Sequence, residues 1–357
     1  MADNFTDSAS QGADRTTVAY LGPEGTFSHA AARRVPNAYP VPVQSLPEVF
    51  AAVSTARTDL GVIAVENTVE GSVMAAIDGL LAANDIVATA EIVLPIKLNA
   101  FTERPYQADD PALTQAVAHP HGLAQVRRYI ARHGWQEVAA GSNAAAVKDV
   151  RYNQVAFGAP ICGALYGRYV LAEGVEDFPG ALTRFLVIAR RTVAIEQLQA
   201  LHKVGAQALS TDPNLDAATK GSELPPTSAA TGLDSPTHLW RTLLAITPRD
   251  TGPGVLARVT KQFGRRGINM SSLISRPLKA LSGQYVFVLT MDAAPWEPYS
   301  RALLADLLAA GDAVKTLGVW AADAENDDVG GVITEALPPG SATGDADAEA
   351  LGRALLW

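Results

Sequence analysis

The stretch ALTRFLVIARR (residues 181–191) opens a strongly apolar run with Thr183, Arg184 and Phe185. Inside a buried strand, a hydroxyl and a guanidinium each cost free energy unless a partner replaces water. Read blandly, the threonine is a branched strand filler and the arginine points to solvent. Read chemically, the hydroxyl is there for a ligand. Three other stretches carry the polar groups a ligand would need. YLGPEGTFSHAA offers Thr26, Phe27 and Ser28; VIAVENTVEGSVMAA offers Glu66, Asn67, Thr68, Gly71 and Ser72; VAAGSNAAAV offers Ser142 and Asn143. Each reads as a strand, a glycine-containing loop and a helix start. Such a start leaves backbone N–H groups unpaired beside a hydroxyl or amide, and the helix dipole adds partial positive charge. Carboxylates and phosphates bind there, and in an open α/β sheet these sites converge at the strands' carboxyl ends. Ser, Thr and Asn are also the ordinary N-caps of helices. One junction alone is more simply a cap; three together point to a ligand cleft without identifying the ligand.

Glu66 ends an apolar strand. Burial there would shift it toward neutrality and make it an acid candidate, while a structural hydrogen bond to a neighbouring loop accounts for it equally well. GPEGTF is neither a P-loop nor a GxGxxG fingerprint. His119 and His121 lack a third ligand at metal-site spacing, so a loop or capping role fits them better. His29 follows Ser28 directly, and adjacent helical residues do not face each other, which argues against a Ser–His couple. Cys162 is the one cysteine in the chain, which excludes an internal disulfide and a multi-cysteine metal site. In the apolar run APICGAL it reads as a buried small residue.

These residues are positioned by an alternation of short strands and alanine-rich helices. TVAYL, GVIAVE, DIVATAEIVL, KLNAF, QAVAH and VAFGA read as strands; SHAAARR, LPEVFAAVSTA, SVMAAIDGLLAA, GLAQVRRYIARHG and NAAAVKDV carry apolar residues at helical spacing. The pattern predicts an α/β domain with a mostly parallel sheet over residues 16–193. A Ser/Thr/Pro/Gly-rich linker (194–237) follows, with a helical pattern in IEQLQALHKVGAQAL at its start. Residues 238–322 then read β-α-β-β-α-β, the order of a small ferredoxin-like domain. Residues 1–15 read as a disordered N-terminal tail, and 323–357 form an acidic tail. The formal charge of −9 over 357 residues disfavours nucleic-acid and anionic-membrane partners. No apolar run reaches the roughly 18 residues of a membrane span, and the polar start lacks a secretory pattern, so a cytoplasmic protein is expected.

With these stretches assembled, the chain resembles the bacterial prephenate dehydratases that carry a C-terminal ACT regulatory domain. The resemblance lies in YLGPEGTFS, VENTVEGSV, AHPHGLAQ, SNAAA and above all TRF, with GPGVLARV and GINMSSLISRP matching the family's two effector motifs. It implies a two-lobed, periplasmic-binding-protein-like catalytic domain over 16–193 and an ACT domain over 238–322. It also implies loss of water and carbon dioxide from prephenate to give phenylpyruvate, on the route to phenylalanine, with no metal and no organic cofactor. On this analogy Thr183 faces the leaving ring hydroxyl as proton donor or relay, Arg184 neutralises a substrate carboxylate, and Phe185 seats the ring. Glu66 joins them as acid candidate. Thr26, Phe27, Ser28, Asn67, Thr68, Gly71, Ser72, Ser142 and Asn143 would hold the substrate. Gly254, Val255, Leu256, Asn269, Ser275 and Arg276 would form the allosteric site. ACT domains pair edge to edge, so a homodimer or homotetramer is expected, with L-phenylalanine as effector.

The chain departs from the family pattern at several places. Ala181 stands where Asn is usual, His121 replaces Gln in HPQ, and Thr68 replaces Ser in ENS. Ile274-Ser275-Arg276-Pro277 replaces ESRP, and Gly254-Val255-Leu256-Ala257 replaces GALV. Two other readings stay open on sequence: an arogenate dehydratase, and a non-catalytic amino-acid-sensing binding protein. The related non-aromatising decarboxylase is disfavoured, because it keeps the ring hydroxyl that Thr183 would help remove.

Overall fold

The structure is a computed structural model that describes residues 15–107, 109–198, 239–278 and 283–322. Both tails and most of the linker lie outside these residues. Fifteen strands are named here in chain order: β1 Thr16–Leu21, β2 Ala38–Val43, β3 Leu60–Asn67, β4 Gly71–Ser72, β5 Ile86–Pro95, β6 Asn99–Thr102, β7 Gln115–Ala118, β8 Gln136–Ala139, β9 Gln154–Gly158, β10 Tyr169–Ala172, β11 Leu182–Arg190, β12 Leu239–Thr247, β13 Met270–Pro277, β14 Tyr285–Met291 and β15 Ala313–Ala322.

The first lobe is a sheet in the order β5-β11-β3-β1-β2, and the second a five-stranded sheet in the order β10-β6-β9-β7-β8. The chain leaves the first lobe after β5 and returns to it in β11. Ile96 N–H donates to Ala181 C=O at 2.7 Å, so the outgoing and returning segments are held side by side. Thr183 lies just inside this crossing.

The expectation of a mostly parallel sheet is corrected. β1 pairs in parallel with β2 and β3, but β11 is antiparallel to both β3 and β5. The second sheet is mixed in the same way, with β7 parallel to β8 and β9, and β6 antiparallel to β9 and β10. β11 re-enters the first lobe at the end where β5 leaves it, so the two run in opposite directions. The sequence of β2, AYPVPV, hides it from a propensity reading, yet it is an edge strand, where proline's missing N–H costs little. GLAQVRRYIARHG forms two helices, Pro120–Gln125 and Arg127–His133, rather than one. Asp177 causes the break: its N–H donates to Gln125 C=O at 2.6 Å, and its carboxylate accepts from Arg128 N–H at 3.1 Å.

The C-terminal unit runs β-α-β-β-α-β, with helices Val255–Gly264 and Pro298–Ala309 on one face of the antiparallel sheet β13-β14-β12-β15. Alternation along β12 serves two cores. Leu244 and Ile246 meet these helices, whereas Leu243 and Ala245 join Ile63, Ile77, Leu186 and Ile188 of the first lobe. The two sheets meet at the parallel pair Gly318–Ala88. A Cβ on Gly318 would lie 2.5 Å from Ala88 Cβ, so only glycine permits this approach.

Candidate active site

Thr183 is buried, and its Oγ1 accepts a hydrogen bond from Asn67 Nδ2 at 2.8 Å. Backbone register sets this pair, since Thr183 lies opposite Asn67 in the β11–β3 ladder. The amide orientation is determined by its other end: Asn67 Oδ1 accepts from the N–H groups of Val69 and Glu70 at 2.9 and 3.1 Å. The NH₂ group therefore faces Thr183. Because the hydroxyl oxygen acts as acceptor, its own hydrogen stays available to donate elsewhere. Thr68 adds a second tie, accepting from Leu182 N–H through its hydroxyl and donating its N–H to Leu182 C=O, both at 2.9 Å.

The second junction differs from its expected form. Gly71 and Ser72 fold back as β4 against Asn67 and Glu66, and helix Met74–Ala82 begins afterwards without a side-chain cap. The other two junctions are capped helices. Thr26 caps Phe27–Ala32 by accepting from His29 N–H at 3.2 Å, and Ser142 caps Asn143–Lys148 by accepting from Ala145 N–H at 2.9 Å. Both capping residues also line a cavity of about 370 Å³ between the lobes, together with Phe27, Ser28, His119 and Asn143. Asn143 Oδ1 accepts from His119 N–H at 2.9 Å, which holds two of the lining residues together. Thr183 shares a strand face with Phe185, and Phe185 packs in the apolar cluster that also receives Phe27.

The first-lobe loop is gripped by the second lobe. Cys162 Sγ donates to Gly25 C=O at 3.1 Å, and the Tyr166 hydroxyl donates to Glu24 C=O at 2.5 Å. Gly25 has φ +84, and a Cβ there would meet Cys162 Sγ at 3.0 Å. Burial pushes the Cys162 thiol up to about 12, which keeps it protonated. His29 is buried, stacks on Tyr20 with ring centroids 5.1 Å apart, and accepts from Gly25 N–H at 3.0 Å. Burial lowers its pKa, so it serves as a neutral brace. His119 Nδ1 caps its helix, while His121 pairs with Glu70 at 3.0 Å, and Gln125 also donates to Glu70. No group of three His, Cys, Asp or Glu able to hold a metal occurs among the described residues.

Arg184, Glu66 and Ser72 line a different cavity, of about 240 Å³, facing the C-terminal unit. Arg184 Nε donates to Glu91 Oε1 at 2.5 Å, and its NH1 donates to Glu66 Oε2 at 2.8 Å. Burial alone would raise the Glu91 pKa, but Arg184, Arg241 and the Trp320 N–H together hold it below the usual carboxylate range. Sequence reasoning missed Glu91. Its signal was a lone acid in IVATAEIVLP, a strand with no other charge.

The effector-motif residues fall into separate places. Gly254, Val255 and Leu256 line a cavity of about 800 Å³. Asn269 donates to Asp292 at 2.6 Å, Ser275 is exposed, and Arg276 makes a two-pronged pair with Asp78 of helix Met74–Ala82 at 2.9 and 2.6 Å.

Comparison with known proteins gives concordant results. A family model described as prephenate dehydratase matches residues 18–193. A prephenate dehydratase of Amycolatopsis methanolica is 32% identical over 300 residues, covering 82% of this chain and 83% of the relative. The solved prephenate dehydratase of Arthrobacter aurescens in complex with L-Phe is 26% identical with a TM-score of 0.67, covering 86% of this chain and 90% of that one. The corresponding structure from Staphylococcus aureus gives 25% and 0.65, covering 85% and 99%.

Proposed function

The chain belongs to the prephenate dehydratase family, and from that premise we propose that Thr183 is the residue that assists loss of the ring hydroxyl from prephenate. The enzyme is a carbon–oxygen lyase giving phenylpyruvate, water and carbon dioxide. The observation carrying this reading is the Thr183–Asn67 pair. A C–O bond cannot break to release bare hydroxide at neutral pH, so the leaving oxygen needs a proton as it departs. The Thr183 O–H supplies it. Asn67 Nδ2–H, already directed at the same oxygen, stabilises the negative charge that develops there, and solvent returns the proton. As the C–O bond breaks, the ring carboxylate leaves as carbon dioxide and its bonding electrons complete the aromatic ring. One proton is consumed and one water released.

A threonine hydroxyl is a very weak acid, so the site works chiefly by orientation. Thr26, Ser28, Ser142 and Asn143 present hydroxyls and an amide from both lobes, a donor set suited to the substrate's two carboxylates. Phe27 lines the cavity and supplies an apolar surface for the ring, and Phe185 is buried in the core cluster that Phe27 packs against. We also propose residues 16–193 as the catalytic domain and 238–322 as an ACT-type domain that binds an amino acid such as L-phenylalanine beside Gly254–Leu256. A homodimer or homotetramer in the cytoplasm fits the family's mode of ACT pairing. No helix among the described residues is long and apolar enough to cross a membrane.

Turnover of prephenate by purified Thr183→Ala and Thr183→Ser tests the donor role. Thr183→Ala loses about 10²–10⁴ in kcat, and Thr183→Ser keeps a measurable part. Near-normal turnover of the alanine variant removes Thr183 from the chemistry.

A further inference from the structure

We propose that Glu91 is a positioning residue for the Thr183 hydroxyl, and that it links the Asn269–Asp292 pair of the C-terminal unit to the reacting end of β11. The proposal rests on the reading of Thr183 as proton donor.

Glu91 is the lone charge of β5, and its side chain is 9% exposed. Both carboxylate oxygens are committed: Oε1 to Arg184 Nε at 2.5 Å, Oε2 to Arg241 NH1 at 3.0 Å and Trp320 Nε1 at 3.1 Å. A buried carboxylate held by two guanidiniums has few other arrangements, because losing either partner leaves an uncompensated charge. The group therefore moves as a unit.

At the catalytic end, Arg184 adjoins Thr183 and Glu66 adjoins Asn67. Arg184 and Glu66 lie opposite each other in the same ladder and form an ion pair at 2.8 Å. The ladder register shifts immediately afterwards, between Arg184 and Phe185. Such irregularities re-aim the side chains beside them. At this end of β11, then, the ion pair supplements an interrupted backbone ladder in holding Thr183 against Asn67.

At the other end, Arg241 Nε lies 3.6 Å from Asp292 Oδ1. Asp292 accepts from Asn269 Nδ2 at 2.6 Å and from Ser271 Oγ at 2.8 Å. Both donors come from GINMSSL, a stretch that the chemistry at Thr183 does not use. Hydrogen bonds and ion pairs, the longest being the 3.6 Å Arg241–Asp292 pair, thus connect Asn269 through Asp292, Arg241, Glu91 and Arg184 to the residue beside the reacting hydroxyl. A shift in Asp292 has a route to Thr183 without passing through the substrate cavity.

The test is steady-state turnover of prephenate by the full chain as wild type, Glu91→Gln, Asp292→Asn, Thr183→Ala and the Thr183→Ala/Glu91→Gln double variant. Glu91→Gln lowers kcat about tenfold or more with KM held within about twofold, because the hydroxyl is misplaced while the binding groups are untouched. Asp292→Asn, farther along the chain of contacts, lowers kcat about threefold with the same KM pattern. In the Thr183→Ala background, Glu91→Gln changes kcat less than about twofold, since there is no hydroxyl left to place. Unchanged kcat in Glu91→Gln, or an undiminished effect of it in the Thr183→Ala background, overturns the proposal and leaves the donor reading intact. If Glu91→Gln fails to fold, Asp292→Asn decides alone, and wild-type kcat there overturns the proposal. Near-normal turnover of Thr183→Ala sinks the donor reading itself, and this proposal with it.

Discussion

On one face of β11, Phe185 and Val187 pack with Val18, Tyr20 and the helix Phe27–Ala32, and Thr183 offers its hydroxyl above them. On the other face, Leu186 and Ile188 enter a core shared with the C-terminal unit, and Arg184 is held between two carboxylates. Both faces place a polar group beside apolar neighbours. Thr183 has one amide partner and a spare hydrogen, a state that leaves it able to react. Arg184 is paired with both Glu66 and Glu91, an arrangement that ties β11 to β3 and β5. On the proposed function, adjacent residues of one strand are divided between chemistry and support, which a motif written as TRF does not reveal.

Each face can be broken by itself. After Thr183→Ala, the next largest effect is expected from Asn67→Asp, which keeps the oxygen that accepts from Val69 and Glu70 but removes the N–H that reaches Thr183. Its kcat falls about 10–100-fold while the melting temperature changes little; equal turnover would show that the amide does not assist the hydroxyl. Gly318→Ala attacks the support instead. The new Cβ meets Ala88 Cβ at 2.5 Å and Ala88 C=O at 2.8 Å, atoms tied to backbone that cannot swing aside. Denaturant unfolding should show a loss of about 1–3 kcal/mol, and an unchanged midpoint would mean that the two sheets do not approach this closely in solution.

The smallest effect is a pH dependence. The folded-state pKa of Glu91 lies below its ordinary value. Its contribution is therefore complete above the unfolded carboxylate value of about 4.3 and fades as pH falls below that toward the folded value. The melting-temperature difference between wild type and Glu91→Gln, full at neutral pH, should shrink on the acid side. A difference constant down the acid limb would mean that Glu91 is not held charged by its arginines.

Much of this architecture was legible in the residues. β1, β3, β5, β7 and β9 were recognisable because branched residues cluster between turn signals, and the C-terminal unit because its strands and helices differ so clearly in period. β2 was hidden by Pro40 and Pro42, which only its edge position tolerates, and the helix break at Val126 depends on Asp177, about fifty residues away in sequence. The cleft hydroxyls of Thr26 and Ser142 were identifiable as caps or ligand groups, and they are caps that also face a cavity. The partners of Thr183 and Arg184 were not readable. They depend on the strand register and on a one-residue slip in it, and neither property is encoded locally.

The approach of Gly318 to Ala88 has a practical side for anyone trimming this protein. A fragment ending before the linker would lose β15 from the flank of β5 and, with it, the indole of Trp320 and the guanidinium of Arg241. What remained would be a ten-residue, largely apolar strand that has lost its cover at Ala88, and a carboxylate short of two of its partners. Exposed strands of that kind recruit one another, so such a fragment is expected to clump in solution rather than serve as a stand-alone catalyst.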